Sequence, residues 1–253
     1  MSTLDLAVIG GTGLYALDEL SDVETHRVDT RWGAPSDVIT VGTWHGRRVA
    51  FLARHGRDHK IAPHRVNYRA NLTALQALGA RTVIGVNAVG GVRADMPPQA
   101  LVLPDQLIDY TDGRASSFSD ADGETVVHID FSEPYSANLR AALAEAAVGA
   151  GVPLVGEGCY GCTQGPRLET IAEVRRLQRD GVDLIGMTGM PEAALAREAG
   201  LDYACLAVVA NWAAGIGGSE PISLDEIYAH LKVGMAHARA VLAVWCRNTA
   251  RPS

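Results

Sequence analysis

Leu6-Ala-Val-Ile-Gly-Gly-Thr-Gly13 decides the fold class: an unbroken apolar run of strand length stops in a glycine-rich turn. Such a run reads as a buried strand entering a tight loop, because no polar alternation marks a water-facing side. Thr82-Val-Ile-Gly-Val86 repeats the pattern and ends in Asn87-Ala-Val-Gly-Gly91. Outward from these, Val38 to Val41 and Val49 to Ala53 read as strands around a turn at His45-Gly46. Leu101 to Ile108, Asp183 to Met187 and Ala204 to Ala210 read as further strands. Leu17 to Pro35 is polar and turn-rich and offers no clear strand.

Helices fall between. Val66 to Leu78 carries Leu72, Leu75 and Leu78 at helical spacing, with Gly79 as its stop. Ser136 opens a helix through Ala147. Thr170 with Glu173, and Ser223 with Glu226, have capping-box spacing, so helices are predicted to start near 170 and 223, the last running to about Cys246. Pro191 suits the first turn of another helix. Strands alternating with helices predict one α/β domain over 1–253, with a central mixed, largely parallel sheet flanked by helices. The glycines cluster just after strands, where open α/β sheets bind ligands.

The 253 residues, 47% hydrophobic and 20% charged, suffice for a sizeable core. A net charge of −7 speaks against a broad nucleic-acid or anionic-membrane surface but leaves room for a local basic site. No stretch reaches the roughly 18 apolar residues of a membrane span. Met1-Ser-Thr-Leu-Asp5 lacks the basic-then-apolar order of a secretion signal, so a cytoplasmic protein is expected. Cys159-Tyr-Gly-Cys162 has redox or zinc spacing, but no second pair or Cys/His set accompanies it. The two cysteines read as small buried strand residues, and no metal is placed.

Two segments point to chemistry. Gly11-Thr-Gly-Leu-Tyr-Ala16 matches the GxGxxA of dinucleotide sites, yet the acidic strand end expected roughly 20 residues on has no clear counterpart. No Gly-Lys-Ser/Thr completes a P-loop either. The turn can still hold one phosphate through backbone N–H groups and the Thr12 hydroxyl, although a plain tight turn accounts for it equally well. Arg54-His-Gly-Arg-Asp-His-Lys60 concentrates basic side chains directly after an apolar strand in an acidic protein. Taken alone it reads as readily as a solvated loop. Its place after a strand, beside the Thr12 turn, favours an anion site in which Arg54 offers a fork of donors and His55 a further one.

From Arg54 the chain continues His-Gly-Arg-Asp-His-Lys-Ile-Ala-Pro-His-Arg-Val-Asn-Tyr-Arg-Ala-Asn71, which resembles the signature of methylthioadenosine phosphorylases within the trimeric purine nucleoside phosphorylase family. Gly10 to Leu14, Asn87 to Gly91, Gly165-Pro-Arg-Leu-Glu-Thr170 and Gly186-Met-Thr-Gly-Met-Pro-Glu192 follow the family's order across nearly the whole chain. The resemblance implies a phosphorylase-type fold and a pentosyltransferase. Phosphate would attack the anomeric carbon of a purine nucleoside and release the free base. It places Thr12, Arg54, His55, Thr188 and the Ala88 backbone N–H around phosphate, and Met187 against the ribose. Inorganic phosphate is then a co-substrate, with no cofactor or metal implied. A homotrimer or dimer of trimers is implied too, with small-molecule partners only.

One stretch departs from the family. Methylthioadenosine phosphorylases carry aspartates at the positions of Asn211 and Ala213 in Ala210-Asn-Trp-Ala213. An aspartate accepts from a 6-amino group, whereas the Asn211 NH₂ can donate to the O6 of a 6-oxopurine. Glu169 points the same way, since a carboxylate can accept the N1 proton of a 6-oxopurine but faces a lone pair on adenine. Asn211 and His55 are the catalytic candidates, and Glu169, Asn211 and Ala213 the base-binding ones. In Ser223 to Tyr228, the residues Leu224, Ile227 and Tyr228 share a helix face; alone they read as core, and in the family frame as an apolar wall for a 5′-methylthio group. His128 resembles a residue that reaches this pocket from a neighbouring subunit.

The expected activity is phosphorolysis of S-methyl-5′-thioinosine. Still open are an inosine/guanosine phosphorylase and a methylthioadenosine enzyme that tolerates Asn211. An NAD-type oxidoreductase built on Gly11 to Ala16 and a non-catalytic nucleoside-binding protein are the more distant readings.

Overall fold

The computed structural model describes residues 4–10, 19–120, 123, 125–218 and 222–248. The first strand, β1 (Leu6–Gly10), lies between β4 (Arg47–Ala53) and β5 (Thr82–Gly91), parallel to both. All five residues of β1 are buried because helices cover both faces of the sheet here. Leu6 and Val8 pack with α2 (Ala137–Ala150) and α5 (Leu224–Asn248), through Leu139, Leu143, Val241 and Leu242. Ala7 and Ile9 point the other way, toward Leu72 and Leu75 of α1 (Tyr68–Ala77) and Leu195 of α4 (Gly189–Glu198).

Beyond β4 the sheet continues antiparallel through β3 (Ile39–Trp44) to the edge strand β2 (Ser21–His26). On its other side β5 pairs in parallel with β11 (Asp202–Trp212) and antiparallel with β10 (Leu184–Gly186). β9 (Cys159–Cys162) and β7 (Gln106–Asp109) extend that edge, while β6 (Leu101–Val102) and β8 (Leu154–Val155) continue from β11. The remaining helix, α3 (Ile171–Arg179), starts with the expected capping box: Thr170 Oγ1 accepts from Glu173 N and Glu173 Oε2 from Thr170 N. The sheet is mixed and largely parallel, as the alternating pattern predicts.

Three local expectations change. The polar stretch 17–35 contains β2, which alternation cannot reveal because both of its faces meet solvent. The single strand expected over Leu101 to Ile108 is two, since Pro104 has no N–H for a ladder and the chain there passes from β11 and β8 to β9. The helix expected from Val66 begins at Tyr68, where the Asn67 side chain accepts from Ala70 N at 3.1 Å after a short 3₁₀ turn over Pro63–Arg65. Cys159 and Cys162 are free thiols of β9, half-buried and buried.

Candidate active site

A cavity of about 460 Å³ opens at the ends of β4, β5, β10 and β11. Arg54, His55, Ala88, Met187, Thr188, Glu169, Asn211, Ala213 and Ile227 all line it. Arg54, Ala88 and Asn211 converge there because β4, β5 and β11 run the same way and carry their carboxyl ends to one side, while β10, antiparallel to β5, brings Met187 and Thr188 back toward Ala88.

Arg54 follows β4 directly, and its backbone N–H donates to Gly10 O at 2.9 Å. Its side chain is almost wholly buried and already engaged. Nε and Nη2 donate to the two oxygens of Glu192 at 2.8 Å each, Nη1 to Val86 O at 3.0 Å, and Nη2 also to Asn87 Oδ1 at 2.9 Å. Burial disfavours the guanidinium charge, but the adjacent Glu192 carboxylate outweighs it and raises the arginine pKa above its ordinary value. Tyr203 Oη donates to the same carboxylate at 2.8 Å. Gly85 makes room for this cluster, since a Cβ there would overlap Tyr203 Oη. Arg54 thus reaches the cavity as a rigid, carboxylate-paired cation with much of its donor set committed.

His55 differs from expectation. Its Nδ1 lies 2.8 Å from Ile61 O, a group that can only accept, so Nδ1 carries the proton. Burial and the neighbouring Arg54 cation lower its pKa to about 4. At neutral pH Nε2 is therefore a lone-pair acceptor, suited to a P–OH, and not the second donor predicted from the motif. His59 packs its ring 4.8 Å from that of His55.

Thr188 occupies the N-cap position of α4 but makes no side-chain capping bond, which leaves its hydroxyl for a ligand. Met190 is extended at φ −119° and ψ 142°, as a residue before proline prefers, so regular helix starts at Pro191. Ala88 is exposed to the cavity from β5, in register with Val208 of β11. Thr12 and the turn from Gly11 to Ala16 lie outside the described residues.

On the other side, Glu169 accepts from Thr163 Oγ1 at 2.6 Å, which leaves its second oxygen available. Asn211 follows a register shift between Val209 and Asn211, and its Nδ2 donates to Trp212 O at 2.7 Å. That carbonyl fixes which amide atom is nitrogen, so the second N–H and Oδ1 remain for a ligand. Ala213 is buried in the lining. Met187 packs against Gly165, whose φ of +61° and lack of a Cβ both suit glycine.

The expected apolar wall is only partly assembled. Ile227 lines the cavity together with Ile222, but Leu224 is 65% and Tyr228 57% exposed, and neither faces it within this chain. The shared helix face of these three holds, but the helix turns mainly Ile227 inward. His128 is exposed and away from the cavity of its own chain. Glu192, Ile61 and Ile222 were not singled out from sequence. Glu192 closes the motif that starts at Gly186, but nothing in that motif tells its role from that of an acidic residue in a helix's first turn, which the helix dipole explains unaided.

A mixed, largely parallel α/β sheet whose strand ends gather an arginine, a threonine hydroxyl, a carboxylate and an amide defines a site for a small anion and a polar heterocycle. The chain belongs to the phosphorylase superfamily, whose sequence model matches residues 5–244. It is 58% identical over 230 residues to a probable S-methyl-5′-thioinosine phosphorylase of Xanthomonas campestris pv. campestris, covering 91% of this chain and 92% of that protein. It is also 44% identical to a purine nucleoside phosphorylase of Streptomyces coelicolor, covering 94% of this chain and 86% of the relative. Among solved structures, a methylthioadenosine phosphorylase from an antarctic soil metagenomic library superposes with a TM-score of 0.91 at 36% identity, over 97% of this chain and 86% of that one.

Proposed function

We propose that the protein catalyses phosphorolysis of S-methyl-5′-thioinosine, with inorganic phosphate as co-substrate and no metal or organic cofactor. A phosphate oxygen bonds to C1′ as the C1′–N9 bond breaks. The bonding pair leaves with the purine, which becomes hypoxanthine by taking up the proton that the phosphate P–OH gives up through solvent, and 5-methylthioribose 1-phosphate remains. Arg54, Thr188, the Ala88 N–H and Thr12 would hold phosphate, with His55 Nε2 accepting from its hydroxyl. The phosphate charge stabilises the oxocarbenium-like sugar, and hydrogen bonds to the departing purine stabilise its developing negative charge. Asn211 would donate to O6 or N7, and Glu169 would accept from N1.

One observation carries the substrate reading: Glu169 and Asn211 line the same cavity, with the apolar Ala213 beside Asn211. That set offers a donor for O6 and an acceptor for N1–H, and lacks the second carboxylate expected for a 6-aminopurine. Similarity to probable S-methyl-5′-thioinosine phosphorylases agrees with it. The exposure of Leu224 and Tyr228 favours a second reading, a general inosine/guanosine phosphorylase whose 5′ pocket is less apolar. We further propose that the protein works in the cytoplasm as a homotrimer or dimer of trimers, with His128 of a neighbouring copy and the exposed Leu224 and Tyr228 completing the 5′ pocket. None of the described helices is long and apolar enough to cross a membrane.

The deciding experiment incubates methylthioinosine, methylthioadenosine, inosine and guanosine with and without phosphate and quantifies free base. Hypoxanthine should appear from methylthioinosine only with phosphate. Equal release without phosphate would make the enzyme a hydrolase.

A further inference from the structure

Arg114 lies between the turn at Thr163-Gln164 and the turn from Met187 to Met190, and among the described residues it pairs with no carboxylate. Its Nη1 donates to Met187 O at 2.9 Å and Met190 O at 2.6 Å. Nη2 donates to Gln164 O at 2.9 Å and, more weakly, Thr163 O at 3.4 Å, while Nε donates to Gln164 Oε1 at 3.1 Å. The five N–H groups of one guanidinium thus meet five acceptors, four of them backbone carbonyls. Tyr68 Oη adds a further contact to Nη1 at 3.4 Å and itself donates to Pro63 O on the cavity wall.

The two turns hold opposite halves of the site. Met187 and Thr188 belong to one, and Thr163 on the other orients Glu169 at 2.6 Å. The β9–β10 ladder joins the two turns at their bases, where Thr163 N donates to Gly186 O at 2.8 Å and Met190 N to Cys162 Sγ at 3.2 Å. Beyond that ladder residues 164–170 are irregular and Met190 interrupts the start of α4, so the outer parts of both turns rest on Arg114. We propose that Arg114 is a positioning residue that locks these turns together, and so sets the phosphate side of the site against the base side. This rests on the functional reading above. Planar forked geometry is essential to the role, because a lysine ammonium keeps the charge but cannot span both carbonyl pairs.

The test compares the full-length wild type with Arg114→Lys, Arg114→Gln and Gln164→Ala, the last removing one of the five acceptors together with the Gln164 side-chain bonds to the Asp112 backbone. Thermal melting is recorded first. Then kcat, both KM values and the kcat/KM ratio of methylthioinosine to methylthioadenosine are measured well below the melting temperatures. Arg114→Lys and Arg114→Gln should each lose roughly tenfold or more in kcat/KM, as small misplacements of reacting groups do. The nucleoside ratio should move toward one in both, and in the same direction but less in Gln164→Ala. Wild-type kinetics in Arg114→Lys would mean that charge alone matters and overturn the proposal. Lower melting temperatures with an unchanged nucleoside ratio would show a merely structural role and also overturn it. If an Arg114 variant does not fold, Gln164→Ala decides by its ratio. A wild type that releases no hypoxanthine removes the substrate reading instead. Arg114 is then judged by phosphate affinity measured calorimetrically, which should fall in both Arg114 variants and otherwise refutes the role.

Discussion

Arg54 and Glu192 meet side by side at the cavity, Nε 2.8 Å from Oε2 and Nη2 2.8 Å from Oε1, each side chain about 1% exposed. The pair keeps a guanidinium charged in a dry place and fixes its direction. Breaking a buried pair leaves one charge unmatched, whereas replacing both partners with apolar residues often restores stability.

Arg54→Met alone should therefore destabilise the fold by about 3–5 kcal/mol. Arg54→Met with Glu192→Leu should recover most of the melting temperature and yet keep a raised phosphate KM. Melting curves and phosphate titrations on the two variants separate stability from binding. A normal phosphate KM in the folded double variant would remove Arg54 from the anion site.

His55 makes acid stability diagnostic. Its pKa falls from 6.5 to about 4 through burial and the Arg54 cation. Between those values the unfolded chain binds the proton and the folded one does not, so stability must fall as pH drops from 6.5 toward 4. The full effect is roughly 3 kcal/mol, at about 1.4 kcal/mol per pKa unit. His55→Gln should flatten this part of the stability profile measured by urea unfolding. An identical slope in the variant would place the titrating group elsewhere.

Asn211→Asp should raise kcat/KM for methylthioadenosine relative to methylthioinosine, because an acceptor replaces the amide donor. It also sets a carboxylate against Trp212 O, which now receives Nδ2 at 2.7 Å, so a stability loss of about 1 kcal/mol should accompany it. Adding Ala213→Asp buries a second carboxylate and should cost more stability. Glu169 should limit the gain by facing the adenine N1. An unchanged substrate ratio in the folded single variant would displace Asn211 from the base site.

Ile227 is the member of the predicted apolar wall that reaches the cavity. Ile227→Asp should lower kcat/KM for methylthioinosine by roughly ten- to hundredfold, the worth of one methyl-sized apolar contact plus a buried charge's disruption, and lower that for inosine less. Parallel rate measurements on the two nucleosides check this. Equal losses would mean that the 5′ group lies against other residues.

Much of this could be read without coordinates. Buried strands announce themselves as unbroken apolar runs, so β1 and β5 were legible, and capping-box spacing marked the starts of α3 and α5, although the reciprocal pair of bonds forms at α3 and only Glu226 N to Ser223 Oγ, at 3.4 Å, at α5. β2 was not legible, since an edge strand wet on both faces has no periodicity. Leu224, Ile227 and Tyr228 share a helix face by spacing alone, but spacing does not say which way a helix is rolled against its sheet. Only packing of α5 shows Ile227 inward and the other two in solvent.

Residue types and their order along the chain suffice for the α/β class, for the groups available to an anion and a purine, and for the departure at Asn211 that argues for a 6-oxopurine. Those follow from local periodicity, side-chain chemistry and order along the chain. What each group is free to do depends on its neighbours in the folded chain. Glu192, far from Arg54 in sequence, takes up its charge; Ile61 O selects the His55 tautomer; and Arg114 joins two turns through carbonyls. Hydrogen bonds to backbone carbonyls leave no mark in residue identity, and a buried charge finds its partner only when the sheet brings distant strands and helices together.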